Sequence, residues 1–204
     1  MYSVKVGEQS HQPSKILCVG RNYLEHIHEL NNAVPDQMVV FNKPATSIGS
    51  KLHAFHQQRL HYEAEICFVV EGGRLSAVGV GLDLTKRALQ SQLKEKGLPW
   101  ERAKAFDGSA LFSRFISLQG IAIESLEVEL FINCVRVQKG AVTQMMYPPQ
   151  TIVDELSSFT TLCDGDIIMT GTPQGVGEVH QGDVFLARLK SDDKTLIEIE
   201  WVAQ

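Results

Sequence analysis

The stretch Leu60-His61-Tyr62-Glu63-Ala64-Glu65-Ile66-Cys67-Phe68-Val69-Val70 constrains this chain more than any other. It reads as a strand, bounded by polar residues before it and by Glu71-Gly72-Gly73 after it. Side chains alternate across a strand, so Glu63 and Glu65 share a face with Cys67 and Val69. Tyr62, Ala64, Ile66, Phe68 and Val70 take the other face, and both faces turn apolar toward Val70, as in a strand covered on both sides. Two carboxylates about 7 Å apart in a partly dry place must protonate or share a cation. A hard, oxygen-loving ion such as Mg2+ or Mn2+ suits them. An isolated Glu-x-Glu is more commonly a solvated strand end, because most carboxylates are exposed, so other residues must decide.

At 204 residues the chain suits one domain with a sizeable core. A net charge of −5 gives no electrostatic case for nucleic acid or an anionic membrane. The longest apolar runs are too short to span a bilayer, and no charged-then-apolar leader precedes the first strand, so a cytoplasmic location is expected. Cys18, Cys67, Cys134 and Cys163 lack CxxC spacing, and three lie in apolar strand-like runs. Reduced core cysteines are expected rather than disulfides or zinc ligands.

Lys15–Gly20 reads as a short buried strand. Residues 21–30 have helical spacing, with Tyr23, Ile27 and Leu30 in one stripe and Asn31-Asn32 and Pro35 as the stop. His26 and Glu29 stand three apart, close enough for the carboxylate to orient the imidazole as a general base. Spacing alone fits a surface contact more readily. Residues 38–41 form a second strand before Lys43-Pro44, where the proline fixes the direction of a lysine that otherwise reads as snorkelling. His53 and His56 fall in a polar loop and read as solvated.

Residues 77–85 read as a strand with Asp83 at its end and Thr85 capping a helix that stops at Gly97. Asp83 is either a helix-start carboxylate or a third metal ligand beside Glu63 and Glu65. Arg87 and Gln90 share a helix face and could reach a carboxylate on a ligand. The second half is richer in strands. A hairpin turns at Asn133-Cys134, where cysteine suits positive φ poorly. A helix over residues 150–159 and a strand over 167–170 lead to a glycine-rich loop, residues 171–177. The loop's backbone amides and the Thr172 hydroxyl could cradle a carboxylate or phosphate, although it is no P-loop.

Taken together, Cys18-Val19-Gly20-Arg21-Asn22-Tyr23, Lys43-Pro44, His61-Tyr62-Glu63-Ala64-Glu65, Gly81-Leu82-Asp83-Leu84-Thr85, Gly97-Leu98-Pro99-Trp100 with Lys104, and Gly171-Thr172-Pro173-Gln174-Gly175-Val176-Gly177 resemble the fumarylacetoacetate hydrolase family. The likeness is to its small single-domain branch of acylpyruvases, oxaloacetate decarboxylases and isomerases of homoprotocatechuate breakdown. The motifs follow the family's order and cover nearly the whole chain. The resemblance implies one catalytic domain over residues 1–204, α+β in class, built as a mixed β-roll with a few short helices and usually dimeric. It implies Glu63, Glu65 and Asp83 as ligands of Mg2+ or Mn2+, and Lys104 as the group that neutralises charge on the substrate oxygen. Arg21, Asn22, Gln90 and Thr172 would hold the carboxylate end, and His26 with Glu29 would activate water as a mobile dyad.

The implied activity is hydrolysis of acylpyruvate-type 2-oxo acids, breaking a C–C bond through a metal-bound enolate. Alternatives are oxaloacetate decarboxylation or tautomerisation, or 2-hydroxyhepta-2,4-diene-1,7-dioate isomerisation. A non-catalytic member that only binds 2-oxo acids is an alternative of another class. The expected partners are a small 2-oxo acid and a second copy of the chain, with no nucleic acid and no membrane. An enolate arises in cleavage beside a ketone and in loss of CO2 from a 3-oxo acid, and a Lewis-acidic metal with a lysine stabilises it by several kcal/mol. Two features depart from the family pattern. Leu17-Cys18-Val19-Gly20 stands where two-domain relatives carry another metal carboxylate, and residues 71–80 leave no room for the helix usual before Gly81-Leu82-Asp83.

Overall fold

In the computed structural model, which describes residues 2–30 and 33–204, strand β1 (Lys15–Gly20) runs into helix α1 (Leu24–Glu29) and then β2 (Val39–Pro44). Next come β3 (Ala64–Glu71), β4 (Arg74–Asp83), α2 (Arg87–Glu95), α3 (Glu101–Lys104) and β5 (Ala110–Phe112). The second half adds β6 (Leu126–Ile132), β7 (Val135–Ala141), α4 (Pro149–Phe159), β8 (Ile167–Met169), β9 (Val184–Ser191) and β10 (Lys194–Val202). One sheet runs β5-β4-β3-β8-β1-β2, with Ile116–Ser117 added beside β4. The other runs β7-β6-β9-β10. Within the first sheet β8 and β1 are parallel while β8 and β3 are antiparallel, so the sheet is mixed. Strands dominate and the helices are short, which makes the fold α+β, as expected.

Apolar alternation explains how the layers meet. Ile66, Phe68, Val80 and Leu82 of the first sheet pack on Val128, Leu130, Phe185 and Leu189 of the second. The other face of β3 gives Cys67 and Val69 to a cluster with Ile16, Cys18, Ile167 and Met169. Helix α4 lays Ile152, Val153 and Leu156 over Leu17, Val19 and Ile168. Every residue of β3 from Ala64 to Val70 is buried. Each large apolar side chain so covered is worth about 1.5–3 kcal/mol, so β3 is anchored on both faces and carries its acids inward. Among the described residues, no helix is long and apolar enough to cross a membrane.

The stretch after Glu71 is short because Gly72-Gly73, at φ 57° and 72°, joins β3 directly to β4 in a two-residue turn. Its register pairs Ala64 with Leu82 and Glu65 with Gly81, which sets Asp83 across from Glu63.

Other details correct the sequence reading. The 60–70 strand is two pieces, His61–Tyr62 and Ala64–Glu71, interrupted at Glu63. Helix α1 begins only at Leu24, and the Asn31-Asn32 stop lies outside the described residues. The polar loop holds two short strands, Phe55–His56 and Gln58–Arg59, and His56 stacks on Phe106 at 5.0 Å instead of standing in solvent. Only Cys18 and Cys67 are buried; Cys134 and Cys163 are exposed, and all four are free thiols.

Candidate metal centre and active site

The break at Glu63 turns its carboxylate toward the end of β4, where the Asp83 N–H donates to the Glu63 carbonyl at 2.8 Å. Glu63, Glu65 and Asp83 are all buried, and each offers an oxygen within 4.8 Å of the others. Helix α3 ends with Lys104, whose Nζ reaches Glu63 Oε2 at 2.8 Å, Asp83 Oδ2 at 2.7 Å and Thr85 Oγ1 at 2.7 Å. Thr85 therefore spends its hydroxyl on this lysine and does not cap α2, whose N-cap is Lys86. Beneath Asp83 lies Lys43, fully buried, with Nζ 2.8 Å from Oδ1. Lys43 also donates to the carbonyls of Lys104 and Ser109, so one ammonium holds both the acid and the main chain of the lysine above it. Arg87 pairs with the remaining oxygen of Glu63 and donates to Gln90 Oε1 at 2.8 Å.

These surroundings separate the acids. Burial pushes the Glu65 carboxyl well above its usual range, and the charges of Asp83 and Glu63 push it further. Glu63 is also buried, but Lys104 and Arg87 outweigh that and hold it low. Burial works against the Lys104 charge, while Asp83 and Glu63 more than restore it. Glu65 accepts the Gly171 N–H at 2.7 Å and still favours the neutral form, so it takes either a proton or a cation. An all-oxygen donor set with one acid of this kind fits a hard divalent ion.

His26 is 6% exposed, and its Nδ1 lies 3.3 Å from Glu29 Oε2. Burial lowers the imidazole pKa, against the raising effects of the Glu63 charge and the Glu29 hydrogen bond. Glu29 is itself fixed by the Gly175 N–H, at 3.0 and 3.2 Å from its two oxygens. A Cβ on Gly175 would meet the Val137 carbonyl oxygen at 1.9 Å, so only glycine fits there. The 171–177 loop does cradle carboxylates with its amides, but they are the chain's own: Gly171 holds Glu65 and Gly175 holds Glu29.

Arg21, His26, Glu63, Glu65, Asp83 and Lys104 line one cavity of about 40 Å3, as do Gln90 and Thr172. Glu29 stands behind His26 as its orienting partner. Asn22 is not part of that lining and corrects the sequence expectation. Fully buried, it donates to the Tyr147 and Thr170 carbonyls and accepts the Tyr147 N–H, so it braces backbone. The Thr172 hydroxyl is likewise committed, donating to the Ala64 carbonyl at 2.9 Å and accepting Gln138 Nε2 at 2.9 Å. Sequence reasoning gave no site role to Lys43, Thr85 or Gln138, although Lys43-Pro44 and the Gly81–Thr85 motif carried the first two.

The family model described as fumarylacetoacetate (FAA) hydrolase C-terminal matches residues 15–200. A Bos taurus protein named oxaloacetate tautomerase FAHD1, mitochondrial, is 37% identical over 189 residues, covering 84% of this chain and 85% of that one. The Escherichia coli oxaloacetate tautomerase YcgM is 34% identical over 187 residues, covering 83% and 85%. Among solved structures, fumarylpyruvate hydrolase from Pseudomonas aeruginosa in complex with Mn2+ and pyruvate superposes with a TM-score of 0.89. It is 27% identical, and the match covers 98% of this chain and 94% of that one.

Proposed function

Because this chain belongs to the fumarylacetoacetate hydrolase family, matched over residues 15–200, we propose that it is a divalent-metal-dependent enzyme of small 2-oxo acids that interconverts the enol and keto forms of oxaloacetate. The observation that carries this reading is the buried Glu63-Glu65-Asp83 set, held by Lys104, lining one cavity with His26. The names of the two relatives support oxaloacetate as the substrate, and the Mn2+ and pyruvate of the P. aeruginosa structure support the metal and the acid class.

Glu63, Glu65 and Asp83 would hold Mg2+ or Mn2+, which supplies Lewis acidity toward the substrate oxygens. Lys104 keeps its charge at neutral pH and would neutralise charge developing on the substrate oxygen by exchanging one of its bonds to Glu63, Asp83 and Thr85. His26 is kept neutral by burial, and its Nδ1–H is assigned to Glu29 from the hydrogen-bond pattern. That tautomer leaves Nε2 as the acceptor that takes the proton from C3 and returns it. The exchange at the oxygen needs only water. Acylpyruvate hydrolysis remains a second reading, favoured by the hydrolase name of the P. aeruginosa structure, since the same dyad could activate water.

The test follows the ultraviolet absorbance of enol-oxaloacetate. Mg2+-loaded protein should speed its decay to the keto form, EDTA should abolish that, and Mg2+ should restore it. A rate unchanged by EDTA, once carried-over metal has been excluded, overturns the metal-dependent reading. No acceleration at all overturns the tautomerase.

A further inference from the structure

Strand β7 buries Gln138 and Gly140 on one face, while Lys139 between them is exposed. A glutamine amide 2% exposed is costly unless its polar atoms are bonded. Gln138 Oε1 accepts the Ala64 N–H at 3.0 Å, and Nε2 donates to Thr172 Oγ1 at 2.9 Å and to the Pro173 carbonyl at 2.8 Å. The Ala64 N–H can only donate and the Pro173 carbonyl only accept, so the orientation of the amide is fixed. The Thr172 hydroxyl in turn donates to the Ala64 carbonyl at 2.9 Å. Gln138, Thr172 and Ala64 thus close a ring that grips both backbone groups of the residue between Glu63 and Glu65.

The ring stands where the sheet gives out. The β8–β3 ladder ends at Met169 and Cys67, and beyond it side chains take over: the Thr170 hydroxyl bonds the Ile66 carbonyl, and the ring holds Ala64. Strand β7 grips the same loop at further points. A Cβ on Gly140 would stand 2.7 Å from Pro173 Cβ, and the Val137 carbonyl lies where a Cβ on Gly175 would be. That loop bonds Glu65 through Gly171 and Glu29 through Gly175. Resting on the divalent-ion site proposed above, we propose that Gln138 is a positioning residue. Acting through Ala64 and Thr172, it aims the Glu63 and Glu65 carboxylates toward a shared ion and holds the loop that fixes Glu29.

Gln138→Met keeps the length of the side chain and removes its hydrogen bonds, and Thr172→Val breaks the same ring at nearly constant shape. In Mn2+ titration by calorimetry, Gln138→Met should bind roughly tenfold more weakly, within the about 10–100-fold worth of an outer-shell partner. Thr172→Val should weaken binding too, and the double variant should lose no more than the larger single loss, because both break one ring. The electron paramagnetic resonance spectrum of bound Mn2+ should change with the affinity. Ile152→Val, which loosens α4 without touching the loop, should leave both unchanged. Wild-type affinity in folded Gln138→Met, or single losses that multiply in the double variant, overturns the positioning role. Should Gln138→Met not fold, Thr172→Val decides alone by the same criterion. If the wild type binds no Mn2+, the metal reading fails, and amide exchange judges the ring. The Gly171 and Gly175 amides should then exchange faster in Thr172→Val, and unchanged rates overturn the role of Gln138 as well.

Discussion

His26 owes its chemistry to where it is buried and to what holds it. As a base it must be neutral, so activity falls as pH drops through its pKa in the folded enzyme. Burial sets that pKa below the usual histidine value of 6.5. The acid limb of kcat/KM should therefore lie below 6.5. Glu29 raises the pKa through its hydrogen bond and its charge, so Glu29→Gln should move the limb to still lower pH. A limb at or above 6.5, or an upward shift in Glu29→Gln, would remove His26 as the base. At this scale the acids were readable because Glu-x-Glu stands at the head of an apolar strand, although the break at Glu63 was not. Asn22 and Thr172 were not, since their hydrogen bonds run to backbone more than a hundred residues away. Lys43 looked like a strand-end lysine because no spacing reveals the carboxylate lying above it.

Among the elements, the β6–β7 hairpin carries the clearest local conflict. Asn133 and Cys134 both adopt positive φ, 49° and 68°, in the tight turn that suits glycine at its second position. The turn survives because Asn133 is tied down: its side chain donates to Asp183 Oδ1 at 2.8 Å and accepts the Val184 N–H at 3.0 Å. Cys134 is exposed and contributes no core packing. Cys134→Gly removes a left-handed Cβ worth about 1–2 kcal/mol and returns part of that as unfolded-state entropy. It should stabilise the protein by roughly 0.5–1 kcal/mol, seen as a higher denaturation midpoint at unchanged m-value. A lower midpoint would mean that the turn is not strained. Strands and helix stops were legible here because they follow local rules. Helix α2 is stopped by Gly97, φ 62°, just past its C-cap Lys96, with the Leu98 N–H bonded to the Leu93 carbonyl and the Gly97 N–H to that of Lys94. Its start was misread because the Thr85 hydroxyl found Lys104, a partner 19 residues away.

At the scale of the molecule, the two sheets bury both faces of β3 and so fix three acids that would repel one another in isolation. The strand that bears the acids was visible in the alternation of residues 60–70, whereas the α+β class followed from the resemblance to the family. The direct β3–β4 hairpin, which sets Asp83 across from Glu63, became visible only with the register. The same packing ties the 171–177 loop to both carboxylate groups, through Gly171 on Glu65 and Gly175 on Glu29. The proposed chemistry depends on Glu63, Glu65 and Asp83 forming a divalent-ion site, and Mn2+ titration by calorimetry measures that without any substrate. Wild-type protein should bind one Mn2+ per chain. Glu65→Ala should weaken binding roughly hundredfold or more, since even outer-shell partners are worth 10–100-fold. Glu71→Ala, on the exposed end of the same strand, should bind as the wild type does. Equal Mn2+ affinity in wild type and a folded Glu65→Ala would contradict the site.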